Sequence, residues 1–130
     1  MKTVTNWKKN HEFESKLKHN SIKLDGDKEN GFGPKALLLS GLAGCSGIDV
    51  VDILRKMKVE FSKFSIEAEA EQTEEHPKVF KEILVTYTMK TAADNEEKVR
   101  KAIELSLEKY CGVAAMLRKN SAIQYKLVIE

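Results

Sequence analysis

Cys45 and Cys111 are the residues with the widest chemical repertoire in this chain, and they stand 66 positions apart. A thiol offers three kinds of behaviour. It can ligate a metal, attack an electrophile as the thiolate, or stay inert as a small buried hydrophobe. The spacing matches no zinc motif. His11, His19 and His76 lie apart from one another in strand or loop contexts and read as surface residues, so no metal site is expected. The sequence "GFGP" lacks the Lys-Ser/Thr of a phosphate-binding loop. The choice is therefore between a reactive thiol and a packed one.

The surroundings of Cys45 are unusual. The stretch "LLLSGLAGCSGIDVVDILRK", residues 37–56, reads as one helix, yet contains Gly41, Gly44 and Gly47. Each glycine costs a helix about 1 kcal/mol relative to alanine. At 100° per residue, Cys45, Asp49, Asp52 and Lys56 share one sector, with Gly41 and Gly44 flanking it. Small residues there allow another helix to come close. The candidate is "EKYCGVAAML", where Gly112, Ala114 and Ala115 surround Cys111. A chain break near Tyr110 would put Cys111 at a helix start, where free N–H groups favour a thiolate. Asp49 and Asp52 read either as groups that tune a thiol or as ordinary salt-bridge partners of Arg55 and Lys56. Both cysteines also fit an inert core role.

The elements that must hold these residues follow from periodicity. "TVTNW", "EFESKLK" and "SIKLD" read as short strands, with Phe13, Ser15 and Leu17 on a half-buried face. "GDKENGFGP" is a loop, and Pro34 suits the first turn of a helix over residues 35–57. That helix is apolar or small nearly all round as far as Val51, so burial on most sides is expected. "FSKFSIEAEAEQ" and "KVFKEILVTYTMK" form a hairpin across "TEEHP". Ile83, Val85, Tyr87 and Met89 line one face of the second strand. Asp94 and Glu97 suggest a capping box opening a second helix. Its inward stripe is Val99, Ala102, Ile103, Ser106, Tyr110 and Val113, with a break or restart at "CGV". "AIQYKLVIE" is the last strand. The order βββ-α-ββ-αα-β predicts an α+β fold with a mainly antiparallel sheet, in a single domain over residues 1–130.

Composition excludes several classes. With 42% hydrophobic and 32% charged residues the chain has material for a core and a solvated surface. A net charge of +2, with lysines interleaved among acids, argues against a nucleic-acid or membrane partner. No N-terminal apolar run suggests a signal peptide, and the stretch Ala36–Val51 is short for a membrane span. A cytoplasmic protein with mostly reduced cysteines is expected.

Two segments, "GPKALLLSGLAGCSGIDVVDILRKMK" and "AIELSLEKYCGVAAMLRK", resemble the two cysteine helices of the OsmC/Ohr family, the osmotically inducible and organic-hydroperoxide-resistance proteins. The likeness runs along nearly the whole chain, through "EEHPKVFKEILVTY", and is nearest the OsmC-like subgroup. It implies an intertwined homodimer whose sheets wrap two long central helices, with active sites at the subunit interface. It also implies a cofactor-free thiol peroxidase. Cys45 would attack a small hydroperoxide and become a sulfenic acid. Cys111 would resolve it as an intramolecular disulfide, and an external thiol would reduce that bond.

Two departures from the family pattern bear on the attacking thiol. Peroxidase members carry an acid directly after the proline that opens the first helix, where this chain has Lys35. They also use an arginine from the N-terminal strands, whereas the first arginine here is Arg55. Lys35 can act as a point charge on a thiolate, and Arg55 and Arg118 are the other candidates. The competing functions are a redox sensor or an apolar-ligand-binding dimer without efficient turnover, and other thiol chemistry on a small electrophile.

Overall fold

A computed structural model describes all residues, 1–130, and divides them into two compact units, Met1–Leu39 and Ser40–Glu130. The element order is β1 (Val4–Lys9), β2 (Glu12–Leu17), β3 (Asn20–Asp25), α1 (Pro34–Lys56), β4 (Ser62–Gln72), β5 (Phe80–Lys90), α2 (Glu96–Leu105), α3 (Gly112–Arg118) and β6 (Ala122–Ile129). A 3₁₀ turn, Ala93–Asn95, precedes α2, and a π-helical turn, Ser106–Tyr110, joins α2 to α3. This is the α+β order the periodicity predicts.

The first unit holds an antiparallel meander, β1-β2-β3, with Phe13 paired to Trp7 on one side and Leu24 on the other. Phe13 and Leu17 are exposed, as is all of β1, and Ser15 is half-buried. The loop after β3 is organised by Asp25. Its buried carboxylate accepts the backbone N–H groups of Asn30, Asp27 and Glu29. The Asn30 and Asp27 N–H groups hold that carboxyl below the usual carboxylate range.

The second unit holds the sheet β4-β5-β6. β4 and β5 form the expected antiparallel hairpin, closed by Thr73 N–H donating to the Val79 carbonyl at 2.8 Å. β6 instead runs parallel to β5, with Val85 opposite Tyr125. A parallel neighbour needs a long crossover, and the segment carrying α2, the π-helical turn and α3 supplies it. Ile83, Val85, Tyr87 and Met89 are buried as their alternation predicts. Tyr87 stacks on Phe64 of β4 at 6.5 Å between ring centroids and meets Tyr125 of β6 edge-on at 6.2 Å.

Three local expectations are corrected. The capping box does not form. Asp94 lies inside the 3₁₀ turn, and neither that turn nor α2 has a side-chain cap at its start. α1 is not buried on most sides. Leu42, Ser46, Val50 and Leu54, at a spacing of four, form the single buried stripe, while Leu38 and Ile48 stay 47% and 66% exposed. One sheet layer can cover only one face of a helix. α1 is also one continuous helix of 23 residues, long and apolar enough by composition to span a bilayer. Its inward stripe nevertheless includes Ser46, which is held by polar partners of the sheet and of the crossover.

Candidate functional site

α1 carries Cys45 in its middle, half-buried. Cys111 arrives from the far end of the crossover and is buried. The π-helical turn sets its position, since the Cys111 N–H donates to the Ser106 carbonyl at 2.7 Å. Cys111 is also the N-cap of α3, where its Sγ accepts the Ala114 N–H at 3.3 Å. The two thiols are free, and Cys45 is near enough to Cys111 to raise its pKa. The 65 intervening residues are thus folded to bring the two cysteines near each other.

The sequence places Cys111 at a helix start, and the structure agrees. The electrostatic consequence is the reverse of the expected one. Burial pushes the Cys111 thiol up to about 11. The Ala114 N–H opposes that shift and is outweighed. The neighbouring Cys45 raises Cys111 further. Asp49 adds a negative charge that acts in the same direction. Cys111 is therefore a neutral thiol at physiological pH.

Behind the thiols runs a chain of four polar side chains. Ser46 Oγ lies 2.6 Å from the Tyr87 hydroxyl and 2.8 Å from Ser106 Oγ. Ser106 Oγ lies 2.9 Å from Asp49 Oδ2. Each hydroxyl has one hydrogen, and an ionised carboxylate only accepts. With Asp49 ionised, the consistent arrangement runs one way: Tyr87 donates to Ser46, Ser46 to Ser106, and Ser106 to Asp49. Burial pushes the Tyr87 phenol up to about 12, which keeps it a donor. No buried side-chain nitrogen or oxygen is left without a partner.

Of the candidate tuning residues, Asp49 is brought to the site by its contact with Ser106. Arg118 donates to the Leu107 backbone carbonyl. Arg55 is exposed in the last turn of α1, and Lys35 belongs to the first unit. The glycines do not act as expected. A Cβ on Gly41, Gly44 or Gly112 would meet nothing within 4 Å, so no helix of this chain approaches there. Only Gly47 faces a close neighbour, Ile66 Cδ1 at 3.0 Å, and that atom comes from a strand.

Sequence reasoning missed Tyr87 and Ser46 as site residues, and it placed Ser106 in the core stripe without giving it partners. The available signal was a serine on each inward helical face, at positions otherwise taken by Leu, Val, Ala or Ile. No cluster of three or more metal-ligating side chains is present. A surface groove of about 890 Å³ over Glu69, Lys81, Glu82 and Lys126 is lined by no cysteine.

Comparison with known proteins identifies the family. A family model described as OsmC-like protein matches residues 25–126. The chain is 34% identical over 110 residues to protein YhfA of Escherichia coli strain K12, with 82% of each chain covered. A crystal structure of a hypothetical protein from Aquifex aeolicus VF5 is 31% identical, with a TM-score of 0.84 over 99% of this chain and 96% of that one. At 19% identity, the organic hydroperoxide resistance protein OhrB of Bacillus subtilis shares the fold, with a TM-score of 0.67 over 97% of this chain and 96% of that one. With most of its length matched by the family model and by a relative of this identity, the chain belongs to the OsmC-like family.

Proposed function

We propose that this protein is a thiol-dependent peroxidase acting on small organic hydroperoxides, with Cys45 as the attacking thiol and Cys111 as the resolving one. The observation that carries this reading is a pair of free thiols of unequal burial that interact with each other. The half-buried member can meet a solute. The buried member lies beside it, placed to attack the oxidised sulfur. The hydroperoxide resistance of a protein with the same fold supports the substrate class.

In the first step the Cys45 thiolate attacks the terminal oxygen of the hydroperoxide. An S–O bond forms, the O–O bond breaks, and the alkoxide leaves as the alcohol after taking a proton. In the second step Cys111 attacks Cys45 Sγ. The S–S bond forms, the S–O bond breaks, and hydroxide departs as water with the Cys111 proton. An external thiol then returns two electrons, which suits a reducing compartment such as the cytoplasm. No cofactor enters the cycle.

The protein is further read as a homodimer. Leu38 and Ile48 are exposed on α1, Gly41 and Gly44 face open space, and an apolar groove of about 560 Å³ runs between Ala43, Gly44 and Ile48 of α1 and Phe64 and Ile66 of β4. A second copy laid on that face would cover it.

A competing reading, a redox sensor without efficient turnover, is favoured by one observation. Lys35 stands directly after Pro34 where peroxidase members carry an acid, and no arginine precedes Arg55. Consumption of cumene hydroperoxide with a reductant present separates the two. Many equivalents consumed per chain supports the peroxidase. A single equivalent, followed by arrest, overturns it in favour of the sensor.

A further inference from the structure

The polar chain behind the thiols joins three elements at one point. Ser46 and Asp49 come from α1, Tyr87 from β5, and Ser106 from the first residue of the π-helical turn. Ser106 is fully buried and makes two kinds of contact at once. Its hydroxyl reaches Ser46 Oγ and Asp49 Oδ2 on the Cys45 helix. Its carbonyl accepts the Cys111 N–H at 2.7 Å. One residue thus ties the helix of one thiol to the backbone of the other.

That arrangement has a consequence for the bond between them. Disulfide closure needs the two Cα atoms within about 7 Å and the Cβ vectors facing. Cys111 lies where a π-helical turn ends and a new helix begins, so α-helical pairing does not fix its backbone. The π-helical register widens the turn by one residue, a device common beside functional sites. Without an anchor, the end of such a turn is free to relax toward α-helical pairing and carry Cys111 away. The Ser106 hydroxyl is placed to prevent this, because it is held on α1 one turn from Cys45.

We propose that Ser106 is a positioning residue for closure of the Cys45–Cys111 bond, acting through the turn it anchors and not by contact with substrate. Ser46 and Asp49 are the receiving half of the clasp, and Tyr87 fixes Ser46 to the sheet. The inference rests on the two-thiol reading above, but not on the identity of the oxidant.

The test measures the equilibrium between the Cys45–Cys111 disulfide and the dithiol in glutathione buffers, in the full chain. Two electrons pass from the protein dithiol to glutathione disulfide, and no hydroperoxide is needed. Ser106→Ala is expected to lower the effective concentration of the pair about tenfold, the scale on which small misplacements cost intramolecular reactions. Ser106→Thr keeps the hydroxyl and is expected to recover part of that loss. In a Cys111→Ser background, iodoacetamide should alkylate Cys45 at rates within about twofold with or without Ser106→Ala, since the thiol's own environment is unchanged. Equal effective concentrations in parent and Ser106→Ala overturn the proposal, as does an equal loss in Ser106→Ala and Ser106→Thr.

If Ser106→Ala fails to fold, the double variant Ser46→Ala/Ser106→Ala removes both hydroxyls together, leaves no half-satisfied pair between them, and is expected to show the same loss. A parent that forms the disulfide yet consumes no hydroperoxide sinks the peroxidase and leaves the clasp standing. A parent that never forms the disulfide sinks the clasp.

Discussion

The Tyr87 hydroxyl, on the central strand of the sheet, lies 2.6 Å from Ser46 Oγ, one residue beyond Cys45 on α1. It fastens the Cys45 helix to β5 at a buried point. Tyr87→Phe keeps the ring and its stacking on Phe64 but removes the bond. Ser46 keeps Ser106 as partner, so the loss should be near the net worth of one hydrogen bond, about 1 kcal/mol. Urea unfolding midpoints of parent and variant measure it.

Two buried acids set the alkaline limit of the fold. Cys111 is raised from 9.0 to about 11, and Tyr87 from 10.0 to about 12, in each case mainly by burial. Both folded values lie above the unfolded ones, so the native state binds more protons than the unfolded state in between. Their contribution is present in full below pH 9. It declines as pH rises through 11 for Cys111 and through 12 for Tyr87. Melting temperature should fall more steeply with pH over this window in the parent than in Cys111→Ser/Tyr87→Phe. Parallel curves would remove these two groups from the explanation.

Cysteine replacements should split the reaction. Cys45→Ser is expected to abolish peroxide consumption, by roughly two orders of magnitude or more, since a serine hydroxyl is no substitute for a thiolate. Cys111→Ser should still react once and stop at the sulfenic acid, which dimedone traps for mass spectrometry. Full turnover in Cys45→Ser would refute the assignment of the attacking thiol.

Ile48, 66% exposed on α1, is the sensitive point for self-association. In an isolated chain, Ile48→Glu replaces a solvent-facing side chain and should change stability by less than about 0.5 kcal/mol. If two copies meet there, the same change buries a charge against an apolar face. Sedimentation should then show twice 14.7 kDa for the parent and single chains for the variant. A parent that sediments as single chains rules out the homodimer.

Strand positions were legible wherever alternation is strict. Ile83, Val85, Tyr87 and Met89 read as a core face and are one. The direction of β6 was not legible, because an alternating strand has the same pattern whether it runs parallel or antiparallel. Cys111 at a helix start could be read from the small residues around "CGV". Its raised pKa could not, since the shift comes from burial under residues distant in sequence. The glycines around Cys45 misled because small residues mark room for an approach without saying from where. Ser46 and Ser106 were hidden for a related reason. A hydroxyl on an inward face declares that a partner exists, but only the folded chain shows that each is the other's partner.

The parallel pairing of β5 and β6 bears on the order in which the molecule is made. β6 follows Cys111 in the chain, so the crossover that carries the second sulfur leaves one strand of the sheet and returns to its neighbour. Cys45 leaves the ribosome 66 positions ahead of Cys111, so no bond between the two sulfurs can form until synthesis has passed the crossover.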